Sequence, residues 1–284
     1  MYYDLHVHSR ASDGVLSGPE LLDQACQMGL PGIAITDHDT VGELPVAVAY
    51  REGEQLDLVL IPGIELNTEV DEGEIHILGY FIDYCSPILL SNLQQIKAAR
   101  YERARRMVAR LRDMGYMITF EQVKNLARGE LIARPHVAMA LIENGYVGSI
   151  REAFHKHIGR GRPAYVPRYK FTPQRALELI KAAGGISVLA HPGLVRQPQM
   201  VEAILEMGVE GLEAFYPEHS KQDTEHFLAL AKRRGLLVTG GSDFHGTGGD
   251  ITRNRLGCCG INAEYMGKLC NYYQRKAKNI INDL

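Results

Sequence analysis

The chain has 284 residues, of which 45% are hydrophobic and 23% charged, and a formal net charge of -3. This is a globular composition with room for one large α/β domain, or one domain carrying an insert. It excludes the basic footprint of a duplex nucleic-acid binder, and no apolar run approaches the ~20 residues of a membrane span. No basic and apolar leader pattern precedes Asp4, so no secretory signal is expected. Cys26, Cys85, Cys258, Cys259 and Cys270 form no C-x-x-C pair and read as reduced thiols of a cytoplasmic protein.

In chain order, Tyr2 to His6 reads as a short strand. Ser17-Gly18-Pro19-Glu20 opens a helix, with proline in its first turn and an acid early. Leu21, Leu22, Ala25 and Met28 then recur at helical spacing. Ile33 to Thr36 is a buried parallel strand, Leu44 to Arg51 a helix, Leu58 to Ile61 a third strand, and Glu74 to Ile82 a fourth that carries His76. From Ile88 to about His157 the pattern is helical, with segments at Leu89–Met114, Thr119–Leu126, Pro135–Asn144 and Ser149–His157. The arginines of the first segment read mostly as a solvated face. Alternation then returns. Thr172 to Ala183 is a helix, Ile186 to Ala190 a strand, Gly208 to Phe215 a strand, His219 to Arg234 a helix and Leu236 to Thr239 a strand. A last helix covers Tyr265 to Leu284. About seven parallel strands with helical crossovers can close into a barrel whose active face collects the C-terminal strand ends. The expected architecture is α/β, a barrel over 1–87 and 158–284 with a helical insert at 88–157.

Six of the eleven histidines fall in acid-and-histidine clusters. These are Asp4-Leu5-His6-Val7-His8-Ser9 with Asp13-Gly14 after it, Thr36-Asp37-His38, Gly63-Ile64-Glu65, Ile75-His76-Ile77, Ala190-His191-Pro192-Gly193 and Ser242-Asp243-Phe244-His245. All lie at or next to predicted strand ends except His76, which falls within a strand. His6 and His8, two apart on a strand, share one face, and Asp243 and His245 repeat that spacing. Imidazole with carboxylate suits manganese, iron or zinc, and the lack of cysteine argues against a structural thiolate site. Singly, His76 between two isoleucines is a core histidine and Asp13 before glycine a turn residue. Together the clusters point to a multi-metal hydrolase. Asp37 reads as a partner that orients a ligand histidine.

This ordered motif set resembles the PHP (polymerase and histidinol phosphatase) superfamily of metal-dependent phosphoesterases, over nearly the whole chain. The resemblance implies a distorted (β/α)7 barrel and three divalent ions. It implies a first site of His6, His8, Glu65 and Asp243, a second of Asp13, His38 and His245, and a third of Glu65, His76 and His191. Many relatives carry histidine where this chain has Asp13; the carboxylate hardens the site and favours manganese over zinc or iron.

The Ser-Asp-Gly variant at 12–14 is similar to a stand-alone subgroup that includes nucleoside 3′,5′-bisphosphate phosphatases and 5′-to-3′ exoribonucleases. The resemblance therefore implies removal of the 3′-phosphate from nucleoside 3′,5′-bisphosphates, with action on short RNA from the 5′ end. Arg134-Pro135-His136 opens a predicted helix, where backbone N–H groups favour anions, and Arg134 can grip phosphate bidentately. Arg134 and His136 are the first phosphate-binding candidates, followed by Ser9, Arg10 and Arg196. His219 is a candidate proton donor, or equally a polar residue at a helix start. The alternatives are a histidinol-phosphate or other small phosphomonoester phosphatase, a C–N hydrolase, for which no bridging lysine is apparent, and a non-catalytic metal-binding PHP module.

Overall fold

A computed structural model describes residues 2–70, 73–127, 131–195, 197–246 and 255–282. The chain divides into two compact units, Met1–Leu90 with Phe171–Leu284, and Ser91–Lys170. The first unit begins with β1 (Asp4–Val7), α1 (Gly18–Gln27), β2 (Gly32–Ile35), α2 (Leu44–Gly53), β3 (Val59–Val70) and β4 (Gly73–Tyr80). Then α3 (Pro87–Asp113) carries the chain into the second unit, which holds α4 (Phe120–Leu126), α5 (Arg134–Glu143) and α6 (Ile150–Ala153). The first unit resumes with α7 (Pro173–Ala182), β5 (Ile186–Leu189), α8 (Pro198–Glu206), β6 (Gly211–Phe215), α9 (Lys221–Arg234), β7 (Leu237–Gly240) and α10 (Ala263–Asn282). Among the described residues no helix is long and apolar enough to cross a membrane.

Local chemistry explains the boundaries. Ser17 and Glu20 form a reciprocal cap on α1, the Glu20 carboxylate taking the Ser17 N–H at 2.7 Å. Thr172 caps α7 ahead of Pro173. Ser220 and Asp223 cap α9, which closes on Gly235 at φ 68°. The start of α9 therefore lies two residues beyond the expected His219.

The strands form one curled seven-stranded sheet in chain order. Just past β7, Phe244 bridges Val7 of β1 in parallel. One expectation fails here. β4 runs antiparallel to both β3 and β5, so the strands are not all parallel. Only two residues separate Val70 from Gly73, and so short a link joins antiparallel strands alone. β3 is also longer than expected, because Pro62 and Gly63 look like breakers. Pro62 instead pairs opposite Ile35, and a Cβ on Gly63 would lie 2.7 Å from the Thr36 methyl, a close approach that only glycine permits. α8, opened by Pro198, was not expected. The Ser149–His157 segment is α-helical only to Ala153, and a π-helical turn follows at Phe154–Ile158.

Leu5, Ala34, Ile61, Leu78, Val188 and Ile186 fill the interior of the sheet, and Met266 and Leu269 of α10 pack against them. The second unit has its own core, including Met107, Leu111, Val123, Val137, Leu141 and Ile158. Arg103 departs from the solvated face expected of α3. It is buried, its Nε donates to the Val166 carbonyl at 2.8 Å and its guanidinium lies over Tyr165. Burial, with Arg134 and Arg168 adding like charge, lowers its pKa to about 10.

Candidate metal centre

Six strands or their exits deliver the predicted ligands. β1 carries His6 and, one residue past its end, His8, with ring centroids 5.1 Å apart and no exposure of either. Asp13 sits in the loop that follows. Its neighbour Gly14 abuts the His8 carbonyl so closely that a Cβ would fall 2.3 Å from it. His38 follows β2 in a loop pinned to β3: the Asp39 carboxylate accepts the Asn67 N–H at 2.9 Å, and Asp39 N–H donates to the Glu65 carbonyl. β3 supplies Glu65. The antiparallel register sets Glu65 opposite Leu78, so His76 two residues earlier on β4 is its diagonal neighbour on the same face. A mid-strand histidine thereby reaches the site. His191 follows β5, and Asp243 and His245 follow β7.

Five of the imidazoles converge on Glu65. Its Oε1 lies 2.9 Å from His76 Nδ1 and 3.1 Å from His191 Nε2. Its Oε2 lies 2.8 Å from His38 Nδ1 and 3.3 Å from Nε2 of both His6 and His8. Asp243 Oδ1 is 3.0 Å from His8 Nε2 and 3.4 Å from His6 Nε2. His245 Nε2 is 3.2 Å from Asp13 Oδ1, while its Nδ1 lies 2.7 Å from the Asp243 carbonyl oxygen. Three sets of ligand atoms lie within 4.8 Å of one another: His6, His8, Glu65 and Asp243; His8, Asp13, His38 and His245; and His38, Glu65 and His76. The first has the membership expected. The second adds His8. The third contains His38 where His191 was expected, although His191 also touches Glu65.

The donor atoms fit divalent cations. His6 Nε2, both His8 nitrogens, His38 Nδ1 and Glu65 Oε2 are buried without a hydrogen-bond partner, although several lie within 3.5 Å of each other. Buried polar atoms this close and without a hydrogen bond make a donor set that a divalent cation would satisfy. At His8, His6, Glu65 and Asp13 burial opposes charge and the opposite charges overcome it. Despite burial, Asp243 and Glu65 raise the His8 pKa to about 10. Glu213, Asp243 and Glu65 likewise raise that of His6. Against the same burial, His38, His6 and His76 hold Glu65 well below the usual carboxylate range, and His245 and His38 do so for Asp13. His38 is instead lowered, chiefly by burial.

Other expected residues are placed as follows. Asp37 meets no ligand ring through its carboxylate. Its oxygens accept from Ser9 N–H at 2.8 Å, Ser9 Oγ at 2.5 Å and Ser12 Oγ at 2.6 Å, so it shapes the loop that carries Asp13. Ser9 is fully buried and its hydroxyl proton goes to Asp37. Arg10 Nε pairs with Glu43 at 3.0 Å, on a side chain more than half exposed. His219 is a brace in this fold: its Nδ1 bonds the Ala214 carbonyl at 3.0 Å and its Nε2 accepts the Gly193 N–H at 3.1 Å. To protonate a leaving group it would have to release Gly193. Arg134 and His136 open α5 in the second unit, where Arg134 lies over Phe154 and His136 Nδ1 accepts the Ala133 N–H. Arg196 lies outside the described residues.

Sequence reading gave no role to three supporting groups. Tyr216 donates its hydroxyl to Asp243 Oδ2 at 2.8 Å. Asp4, fully buried, accepts from Ser242 N–H and Oγ at 2.8 and 2.6 Å and from Gly257 N–H at 2.8 Å, tying β1 to the segment that bears Asp243. Burial outweighs these bonds and raises its pKa to about 6. Glu213 contacts both His6 and His191. Its signal was available: a lone carboxylate between Leu212 and Ala214 in an otherwise apolar strand.

A model of the PHP domain matches residues 4–215. The chain belongs to the PHP domain family. This PHP chain is 35% identical over 248 residues to the 5′-3′ exoribonuclease Rnm of Escherichia coli (strain K12), covering 86% of this chain and 85% of that protein. It is 35% identical over 253 residues to a 3′,5′-nucleoside bisphosphate phosphatase of Chromobacterium violaceum, covering 86% and 87%. Its fold matches the crystal structure of a candidate metal-dependent phosphoesterase from Bifidobacterium adolescentis with a TM-score of 0.81 and 31% identity, covering 94% of each chain.

Proposed function

We propose that this PHP chain, a metal-dependent phosphoester hydrolase, removes the 3′-phosphate of nucleoside 3′,5′-bisphosphates and acts on short oligoribonucleotides from the 5′ end. The observation that carries the reading is the convergence of eight imidazole and carboxylate side chains, with His191 beside them, of which His6, His8, His38 and Glu65 hold buried atoms without hydrogen bonds. The two relatives at 35% identity, a bisphosphate phosphatase and a 5′-3′ exoribonuclease, support the substrate class.

In this reading three divalent ions, manganese by preference, are held by His6, His8, Glu65 and Asp243, by Asp13, His38 and His245, and by Glu65, His76 and His191. The chemistry such ions supply when bound is Lewis acidity, which makes water a stronger acid and offsets phosphoryl charge in the transition state. The chain's own groups keep the ligands in place. The Tyr216 hydroxyl bonds Asp243 Oδ2 and leaves Oδ1 toward His6 and His8. The Asp37 bonds to Ser9 and Ser12 hold the loop of Asp13. Arg134 and His136 are assigned to the substrate's second phosphate, the second unit then acting as a substrate cap, and Arg10 to a supporting charge. The free cysteines suit a reducing compartment, and we place the protein in the cytoplasm.

Phosphate release from adenosine 3′,5′-bisphosphate with Mn²⁺, measured beside 5′-AMP and a simple aryl phosphate, tests the assignment. A clear preference for the bisphosphate is expected, and Arg134→Ala should raise KM for it while sparing the aryl phosphate. Release no faster than from the monophosphates would overturn the substrate assignment.

A further inference from the structure

β6 is the pentapeptide Gly-Leu-Glu-Ala-Phe, and Glu213 at its centre is fully buried, as are Leu212 and Ala214. A carboxylate in such a place must find donors. The β6–β7 register shifts between Glu213 and Phe215, an irregularity of the kind that re-aims a side chain. Glu213 has two partners, one for each oxygen.

Oε1 lies 3.0 Å from His6 Nδ1. A carboxylate only accepts, so in the neutral ring that binds a cation the proton sits on Nδ1 and the Nε2 lone pair is left for other use. That Nε2 is buried without a hydrogen bond, 3.3 Å from Glu65 Oε2 and 3.4 Å from Asp243 Oδ1. The reverse tautomer would set a lone pair against Glu213 and turn an N–H toward the ligand group. Oε2 accepts the backbone N–H of His191 at 2.7 Å. His191 has φ 28° and ψ 61°, a conformation costly for a residue with a Cβ and held only where the surroundings fix it. From that backbone the ring reaches Glu65 Oε1 at 3.1 Å, nearly parallel to the His6 ring at 5.8 Å.

We propose that Glu213 is a positioning residue for the metal centre, fixing the tautomer of His6 with one oxygen and the backbone of His191 with the other. It thereby couples a ligand on β1 to a ligand after β5 through one side chain on β6. The inference rests on the metal reading above.

Glu213→Gln tests it, because one amide oxygen and one amide nitrogen cannot accept from both donors. The full-length chain, stripped with chelator, is titrated calorimetrically with Mn²⁺. The expected result is binding weaker by about 10–100-fold, the usual effect of losing such a partner. In ¹⁵N-histidine NMR of the Zn²⁺-loaded chain, His6 should carry its proton on Nδ1 in the wild type and lose that single tautomer in the variant. Tyr80→Phe is the control: it removes a buried bond to the Leu5 carbonyl and should lower stability while leaving Mn²⁺ affinity unchanged. If Glu213→Gln does not fold, Glu213→Asp serves, since its shorter arm cannot span both donors. Wild-type affinity in the folded variant, or a Tyr80→Phe loss as large as that of Glu213→Gln, overturns the proposal and leaves the metal reading standing. Wild-type protein that takes up no divalent cation overturns both.

Discussion

Adding one methyl group at Gly241 should disable the centre without replacing any ligand. A Cβ there would lie 2.3 Å from both Cβ and N of His6 and 2.8 Å from its Cα. Carbon contacts settle near ~3.5–4.0 Å, so the exit of β7 and strand β1 must part by roughly 1 Å or more. Nothing nearby yields easily, because Ser242 is tied to Asp4 at 2.8 and 2.6 Å and Phe244 to the His6 carbonyl at 3.3 Å. Overpacking of this kind costs about 1–3 kcal/mol, which should lower the urea midpoint by on the order of 1 M. The larger effect falls on function. Asp243 Oδ1 stands 3.0 Å from His8 Nε2 and shares a ligand group with it. Moving it by ~1 Å exceeds the ~0.2 Å tolerance of metal coordination, and about a 100-fold loss of activity is expected from misplacement on that scale. The assay is Mn²⁺ titration of the chelator-stripped chain beside phosphate release, with Gly267→Ala as control. Gly267 lies in α10 with open space where its Cβ would go, so alanine there should be neutral or mildly stabilising. Unchanged Mn²⁺ affinity and turnover in Gly241→Ala would falsify the view that close approach at His6 sets the ligand geometry.

Glu65→Gln should abolish the stabilisation that Mn²⁺ confers on the wild type, a gain of about 2.7 kcal/mol at 100 times Kd; thermal unfolding with metal and with chelator checks this, and an undiminished shift contradicts it. His219→Gln should retain most activity on good and poor leaving groups alike, because both ring nitrogens brace the fold; a selective loss on poor leaving groups would restore the ring as proton donor. The His157 pKa is lowered below 6.5, first by burial and then by Lys156. The unfolded chain then binds more protons between the folded value and 6.5, so stability falls as pH drops through that window. His157→Phe should flatten this acid slope in thermal unfolding between pH 7.5 and pH 5, and a slope equal to the wild type would contradict it.

The candidate ligands were legible because most are charged or imidazole groups set at or beside the end of an apolar strand, a pattern that burial alone does not produce; His76 and Glu65 lie within their strands. The barrel was legible from alternation, but the direction of β4 was not. Hydrophobic pattern reports which face a strand buries and carries no sense of direction, and here the two-residue link decided it. Ser9 and Arg10 looked like free phosphate ligands because sequence shows neighbours along the chain only. Their partners, Asp37 and Glu43, come from elsewhere. Glu213 stood out as the lone acid of an apolar strand, but its role was hidden for the same reason: its partners His6 and His191 lie on two other elements.

The spread of ligands along the chain has a consequence for synthesis. A nascent chain holds His6, His8, Asp13, His38, Glu65 and His76 well before His191 is made, and Asp243 and His245 come last of all. Two of the three ligand groups need one of those final residues. A product stopped short of Asp243 keeps Glu65 and most of the imidazoles yet completes neither of those two groups, so under the proposed metal reading full cation uptake requires a polypeptide whose translation has passed His245.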